Sequence, residues 1–193
     1  TFAPSSLIYY LGIDQTIPNL QHHTLFFEND LDEHIDSIYG EKKWPDKPLF
    51  YTCCPSKTDN TVAPHGKENL FLLMPLATGI NDGEFTREKY LTEMLSRIER
   101  LTGITDLRSK IEYKRSYCAS DFVSDYNAYG GNAYGLANTL GQTAVLKPKI
   151  RNKRLKNLFY TGQLTVPGPG VPPSIISGKI AANEIIKLQQ EKP

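Results

Sequence analysis

A chain of 193 residues is about 1.3 times a ~150-residue domain, enough for one domain with an extension or for two small lobes. Hydrophobic residues at 39%, charged residues at 22%, 14 glycines and 13 prolines match an ordinary globular protein and exclude disordered, collagen-like and coiled-coil chains. With 22 Lys and Arg against 21 Asp and Glu the net charge is +1, so no global field points to nucleic acid or an acidic substrate, and any charge that matters is local.

Residues 6–12 (Ser-Leu-Ile-Tyr-Tyr-Leu-Gly) form a nearly continuous apolar run, predicting a strand covered on both faces. After a Pro18-Asn19 turn, residues 22–27 are β-branched and aromatic and predict a second strand. Residues 30–39 are polar with Ile35 and Ile38 at helical spacing, closed by Gly40, and predict a short helix. Residues 49–54 and 69–76 predict two more strands separated by a turn-rich stretch. Residues 86–101 give the clearest helix: Leu91, Met94, Leu95, Ile98 and Leu101 share a face, Thr86 can cap the start and Gly103 the end. Residues 111–122 alternate loosely and predict a strand, and residues 125–142 are polar, aromatic and glycine-rich without clean periodicity.

The C-terminal unit carries the strongest signal. Residues 157–161 predict a buried strand, residues 162–170 a loop rich in glycine and proline, and residues 172–190 a helix whose first turn holds Pro172 and Pro173. Gly178, Ala181, Ala182 and Ile185 give that helix a stripe of mostly small residues, suited to close packing against a large partner. A glycine loop at a helix start turns free N–H groups and the positive end of the helix dipole toward an anion, so phosphates or a flavin pyrimidine edge suit it. The stretch lacks the third glycine and following acid of the dinucleotide fingerprint, and Ser177-Gly178-Lys179-Ile180 lacks the pattern of a phosphate loop. On spacing alone, a cofactor role and a plain β-loop-α connection stand level.

The run Tyr160-Thr-Gly-Gln-Leu-Thr-Val-Pro-Gly-Pro-Gly-Val-Pro-Pro-Ser-Ile-Ile-Ser-Gly-Lys-Ile-Ala-Ala182 closely resembles the C-terminal signature of bacterial carotenoid desaturases of the phytoene dehydrogenase type, within the amine-oxidase-like flavoproteins. Tyr9-Tyr-Leu-Gly12 with His22-His23-Thr24, the run from Pro55 to Pro64, and Gly131-Asn-Ala-Tyr-Gly-Leu136 with Gln142 are similar to the same family in the same order. The resemblance implies the C-terminal part of a longer FAD-dependent enzyme whose missing N-terminal unit binds the adenosine. It places Gly162 and Gln163 near the pyrophosphate and ribitol. Gly170, Val171 and Pro172 would bring backbone N–H groups and the helix dipole to the flavin ring, where a dipole stabilises the anionic reduced flavin. Val166 stands where many relatives have histidine, and Leu146-Lys147-Pro148 where Arg-Pro is frequent.

Further residues carry expectations of their own. His22 and His23 are adjacent on a predicted strand, so alternation sends their side chains to opposite faces, and His34 and His65 are isolated; no metal is expected. Cys53 and Cys54 lack a neighbouring base or CxxC spacing and read as buried small hydrophobes. Three cysteines, two of them adjacent, argue against a disulfide framework and favour a reducing compartment. Tyr126, Tyr129 and Tyr134 fit either ordinary packing or, on the resemblance, the wall of a polyene tunnel. Residues 147–156 hold six Lys or Arg; Lys149, Arg151, Lys153 and Arg154 fit a solvated loop or attraction to an anionic membrane surface, and without interleaved aromatics nucleic acid is not an expected partner. No window approaches the roughly 18 apolar residues of a membrane-spanning helix.

The expected fold is α+β: a mostly antiparallel or mixed sheet with one packed helix over residues 1–125, then residues 126–193 returning to an FAD-binding domain through a strand, glycine loop and helix. The expected function is that of the C-terminal fragment of a cytoplasmic, peripherally membrane-associated carotenoid desaturase acting on phytoene or a related linear polyene. The fragment alone is expected to be inactive and to self-associate. The alternative is a non-catalytic membrane-surface or flavin-fold binding module.

Overall fold

The two longest strands pair at the centre of a five-stranded sheet. β1 (Ser5–Ile13) buries Leu7, Tyr9, Leu11 and Ile13, and β4 (Glu68–Leu76) buries Leu70, Leu72, Met74 and Leu76. Side chains alternate along a strand, so these residues line one face. β2 (His23–Phe26) and β3 (Phe50–Cys53) extend the sheet beyond β4, and β5 (Ile111–Tyr117) pairs with the far side of β1. The order is β2-β3-β4-β1-β5, with every pairing antiparallel. In this computed structural model residues 1–190 are described, and contacts divide the chain into residues 4–132, which hold the whole sheet, and residues 1–3 with 133 onward.

Within residues 4–132, α2 (Glu84–Thr102) seals the buried face of the sheet through Tyr90, Leu91, Met94, Leu95 and Ile98. Truncating one of these wholly buried aliphatic side chains to alanine costs ~2–5 kcal/mol, because the sheet opposite cannot collapse into the space. Two details differ from the periodicity. The helix begins two residues before Thr86, with Gly83 at the N-cap and no side-chain cap, and Leu101 is 54% exposed while Tyr90 takes the inner position. The Tyr90 hydroxyl donates to the Pro45 carbonyl at 2.7 Å, which lets a phenol occupy the core. Gly103 ends the helix in the left-handed conformation, as expected.

α1 (Leu31–Tyr39) starts at Asp30, whose carboxylate accepts from the Asp32 N–H. Its buried His34 is structural. The Leu49 N–H donates to His34 Nδ1 at 2.8 Å, which leaves the proton on Nε2 to be donated to the Pro75 carbonyl at 3.0 Å. Burial lowers the His34 pKa and keeps the ring neutral.

Residues 111–122, expected as one strand, are two elements: β5 ends at Tyr117 and α3 (Ala119–Tyr126) follows. The reason is a capping arrangement that alternation does not reveal. Asp121 accepts from the Cys118 N–H at 2.8 Å, and Asp82 accepts from the Ser120 N–H at 2.9 Å and from Arg87 at 2.8 Å. Burial works against the Asp82 carboxylate, but the Ser120 N–H, Cys118, the Ser120 hydroxyl and the Arg87 charge outweigh it and hold the pKa below the usual range. The helix start therefore collects a stable anion, which turns the chain out of the sheet.

Residues 1–3 and 133 onward contain one long element, α4 (Val171–Gln190). The N-terminus joins this unit: the Ala3 N–H donates to the Gly135 carbonyl at 2.9 Å, and the Gln142 amide bridges to the Thr1 carbonyl at 2.7 Å. The strand expected over residues 157–161 is not formed. Phe159 makes an isolated bridge with Arg151, and the Tyr160 N–H donates to the Ile150 carbonyl at 2.7 Å, so the segment folds back on the basic stretch before it. A strand needs a continuous partner for its N–H and C=O groups, and the described residues supply this one only one bridge.

Candidate functional site

The glycine loop is held by side chains on both flanks. Thr165 is buried and its hydroxyl donates to the Pro148 carbonyl at 2.6 Å. Ser177 is fully buried on the first turns of α4; its hydroxyl accepts from the Gly162 N–H at 2.7 Å and donates to the Ser174 carbonyl at 2.6 Å. Gly162 has φ of +100°, and a side chain there would meet nothing within 4 Å, so the backbone presents a bare face at that point. Gly170 has φ of +107° immediately before the helix, a conformation that disfavours every residue with a Cβ. Neither Ser177 nor Thr165 was singled out by the sequence reading, because a serine in a helix reads as a surface residue until its partner is known.

The helix start is poorer in donors than the sequence signature suggests. Pro172 and Pro173 carry no N–H, and the Ser174 N–H is already given to the Gly170 carbonyl at 3.0 Å. The donors left at the tip are the N–H groups of Gly170 and Val171, for which no partner is seen among the described residues. Pro172 therefore contributes by fixing the helix start and its dipole, with no hydrogen bond of its own to give. Gln163 and Leu164 pack against Gly135, where a Cβ would come within 3.3 Å of the Gln163 carbonyl. The residues present fit a flavin edge on this ground: a bare glycine face, two free N–H groups and a long helix aimed at the same loop.

The sheet supplies a second feature, on the face away from α2. Register sets two rows across all five strands: Leu25, Tyr51, Leu73, Ile8 and Tyr117 in one, and His23, Cys53, Phe71, Tyr10 and Arg115 in the other. The expectation that residues 6–12 are covered on both faces is thus corrected, since Tyr10 is 45% exposed. Tyr10 lies 5.4 Å from Phe71, and Phe71 lies 6.3 Å from Tyr51, ring centre to ring centre. Concavities of about 510 Å³ (Tyr10, Tyr51, Phe71, Tyr113) and about 270 Å³ (Leu25, Tyr51, Leu73, Ile35) share Tyr51. Four interstrand spacings of about 4.8 Å make this platform, with Tyr51, Phe71, Tyr10 and Tyr117 among its side chains and His23 and Arg115 at the ends of one row, roughly 19 Å across.

The three tyrosines singled out from sequence do not form one group. Tyr126 lies 6.3 Å from Tyr117, the β5 end of the first row, and so joins the platform; Tyr129 is an exposed turn residue of the same unit, whereas Tyr134 belongs to the other unit. The platform's own aromatics, Tyr10, Tyr51 and Phe71, were missed, because they stand one each on β1, β3 and β4 and only the pairing of those strands brings them together. Of the basic residues, Lys149, Lys153 and Arg154 are exposed and Arg151 half-buried. Lys147, counted with them in the sequence, is buried and donates to Asn138 at 3.0 Å while its stem packs on Gly168.

The histidine geometry also departs from expectation. β2 begins at His23, so strict alternation does not reach His22, and the two imidazoles lie 4.2 Å apart instead of on opposite faces. Cys54 is buried, as expected, with its thiol pushed up to about 11, chiefly by burial; Cys53 is half exposed.

Residues 18–186 match the model of the flavin containing amine oxidoreductase family, and the chain belongs to that family. It is 46% identical over 97% of its length to a carotenoid 3,4-desaturase of Haloarcula japonica, 31% identical over 96% to a zeta-carotene-forming phytoene desaturase of Myxococcus xanthus, and 32% identical over 95% to a 4,4'-diaponeurosporene oxygenase of Staphylococcus aureus. The matched regions make up 38%, 36% and 37% of those proteins, so the chain spans less than two fifths of the length of these curated relatives.

Proposed function

We propose that this chain is the C-terminal part of a longer FAD-dependent oxidoreductase that desaturates a linear carotenoid. The observation that carries the reading is the open aromatic face of the sheet, in a chain whose 46% identical relative is a carotenoid desaturase. A conjugated chain is flat, stiff and apolar, and it exchanges water for the faces of the Tyr10, Tyr51 and Phe71 rings. A flavin held there would supply the two-electron acceptor that desaturation of adjacent carbons requires. The residues of this chain orient the polyene and exclude water on the platform. At the loop, Gly162 and Gln163 would hold the cofactor, and the Gly170 and Val171 N–H groups would stabilise negative charge gained by its ring. The test is pigment analysis after expressing the complete reading frame in cells that accumulate phytoene or lycopene. Products with longer conjugation are expected; unchanged carotenoid in the presence of flavin-loaded protein overturns the reading in favour of a non-catalytic module.

A substrate that dissolves in lipid gives the basic stretch a role as a membrane-surface contact on the cytoplasmic face. Lys149, Lys153 and Arg154 stand beside exposed Leu146 and Leu155, which combines charge with apolar side chains that can enter the headgroup region. No helix among the described residues is long and apolar enough to cross a membrane. Each basic residue near an anionic surface contributes ~1 kcal/mol. Changing Lys149, Arg151, Lys153 and Arg154 to Glu should therefore reduce cosedimentation of the complete enzyme with anionic liposomes by tenfold or more at low salt, with wild-type binding itself falling as salt rises. Equal cosedimentation of the two proteins returns the stretch to a solvated loop.

A further inference from the structure

We propose that His22, His23 and Cys53 form a binding site for a thiophilic divalent cation, zinc foremost, at the edge of the open sheet face. One ligand atom from each residue, a ring nitrogen of either histidine and the sulfur of Cys53, lies within 4.8 Å of the other two. Strand register builds the cluster. His23 stands directly opposite Cys53 in the β2–β3 pair, and the Cys54 N–H donates to the His22 carbonyl at 2.8 Å, which fixes His22 beside the end of β3. Tetrahedral zinc, with bonds of ~2.0–2.1 Å to nitrogen and ~2.3 Å to sulfur, needs ligand atoms roughly 3.3–3.6 Å apart. The cluster closes to that size with a movement of about 1 Å, which small χ rotations of incompletely buried side chains supply.

A second set of contacts points the same way. His22 Nδ1 lies 2.6 Å from the Thr58 hydroxyl oxygen, and His23 Nδ1 lies 2.6 Å from the Tyr51 hydroxyl oxygen. The Thr58 hydroxyl donates its hydrogen to the Pro55 carbonyl at 3.4 Å, so its oxygen accepts from His22 Nδ1–H and the lone pair of that ring stays on Nε2. A metal-ligating imidazole carries this kind of partner on its other nitrogen, so these contacts orient both rings for ligation through Nε2, and at His22 the Thr58 contact also sets the tautomer. Cys53 is also the accessible member of the three cysteines, since Cys54 and Cys118 are buried. Two imidazoles and a thiolate select zinc over magnesium or calcium, and three protein ligands leave a fourth position for water or a small ligand. A bound ion would tie the edge strand β2 to β3 next to Phe71 and Tyr10. None of these residues belongs to the glycine loop, so the inference stands apart from the flavin reading.

The test is titration of the reduced 193-residue protein with zinc alone, in competition with a chromophoric chelator, and with cobalt(II) as a spectroscopic substitute. One equivalent bound at micromolar affinity or tighter, with a thiolate-to-cobalt charge-transfer band, is expected. Cys53→Ser should abolish the band, His22→Gln and His23→Gln should each weaken zinc binding tenfold or more, and His65→Gln, outside the cluster, should change neither. Thr58→Ala removes only the orienting hydroxyl and should weaken zinc several-fold, and circular dichroism of each metal-free variant separates lost ligation from lost folding. Absence of stoichiometric binding, or equal affinity in wild type and the ligand variants, overturns the site.

Discussion

Gly170→Val in the complete proposed enzyme is expected to lower flavin retention by tenfold or more while leaving α4 formed. Gly170 has φ of +107°, where a β-branched residue is a steric outlier, and holding one there costs ~1–3 kcal/mol, a factor of roughly 5 to 150 in an equilibrium constant. The chain can relieve that strain only by moving the Gly170 and Val171 N–H groups, the two free donors at the loop tip. A Cβ at this position would also stand 3.4 Å from the Pro173 ring, so β-branching crowds the first turn. The helix itself survives because Ser177 and Ala181 anchor it from the following turns. The measurement is the ratio of flavin to protein absorbance after gel filtration, together with far-ultraviolet circular dichroism. A variant that keeps a full complement of flavin and native helicity would remove the loop from the cofactor site.

The central strands and α2 were legible in the sequence from their apolar residues alone. Residues 6–12 and 69–76 announced strands by nearly unbroken apolar runs, which hid that one face of residues 6–12 is open, and α2 announced itself by a 3.6-residue stripe. What failed was structure set by polar contacts between residues distant in sequence. The end of β5 depends on Asp82 reaching Ser120, and the hold on the glycine loop depends on Ser177 meeting Gly162. The pairing of His23 with Cys53 depends on β2–β3 register. A one-residue difference in where β2 begins moved His22 from the opposite face to the side of His23, which periodicity cannot detect. The resemblance to flavoprotein desaturases led to the loop, but it did not reveal the donor shortage caused by Pro172 and Pro173 or the aromatic platform on the sheet.

Purified without the remainder of the proposed enzyme, this chain should be colourless, inactive on carotenoids, and a dimer or higher oligomer. The loop offers two N–H groups and a helix dipole to one end of a flavin, whereas the adenosine and most of the diphosphate find no site assigned in these residues, so most of the binding energy is missing. Self-association follows from α4. Of the small-residue stripe expected there, Ala181 is buried and Gly178 half-buried, but Ala182 and Ile185 are exposed, and the buried line runs instead through Ser177 and Ala181. Val171, Ile175, Gly178, Ala182 and Ile186 fall at i, i+4, i+7, i+11 and i+15, an apolar stripe that is exposed at every position except half-buried Gly178. Fully burying one isoleucine contributes ~1.5–3 kcal/mol, so pairing two such stripes outweighs the cost of association and gives a dissociation constant on the order of micromolar. Sedimentation velocity should show the association, and Ile175→Glu with Ile186→Glu should shift the protein to monomer without loss of helicity. A stable wild-type monomer at tens of micromolar, or a yellow preparation with stoichiometric FAD, would mean that the face of α4 needs no partner and that the loop binds the cofactor unaided.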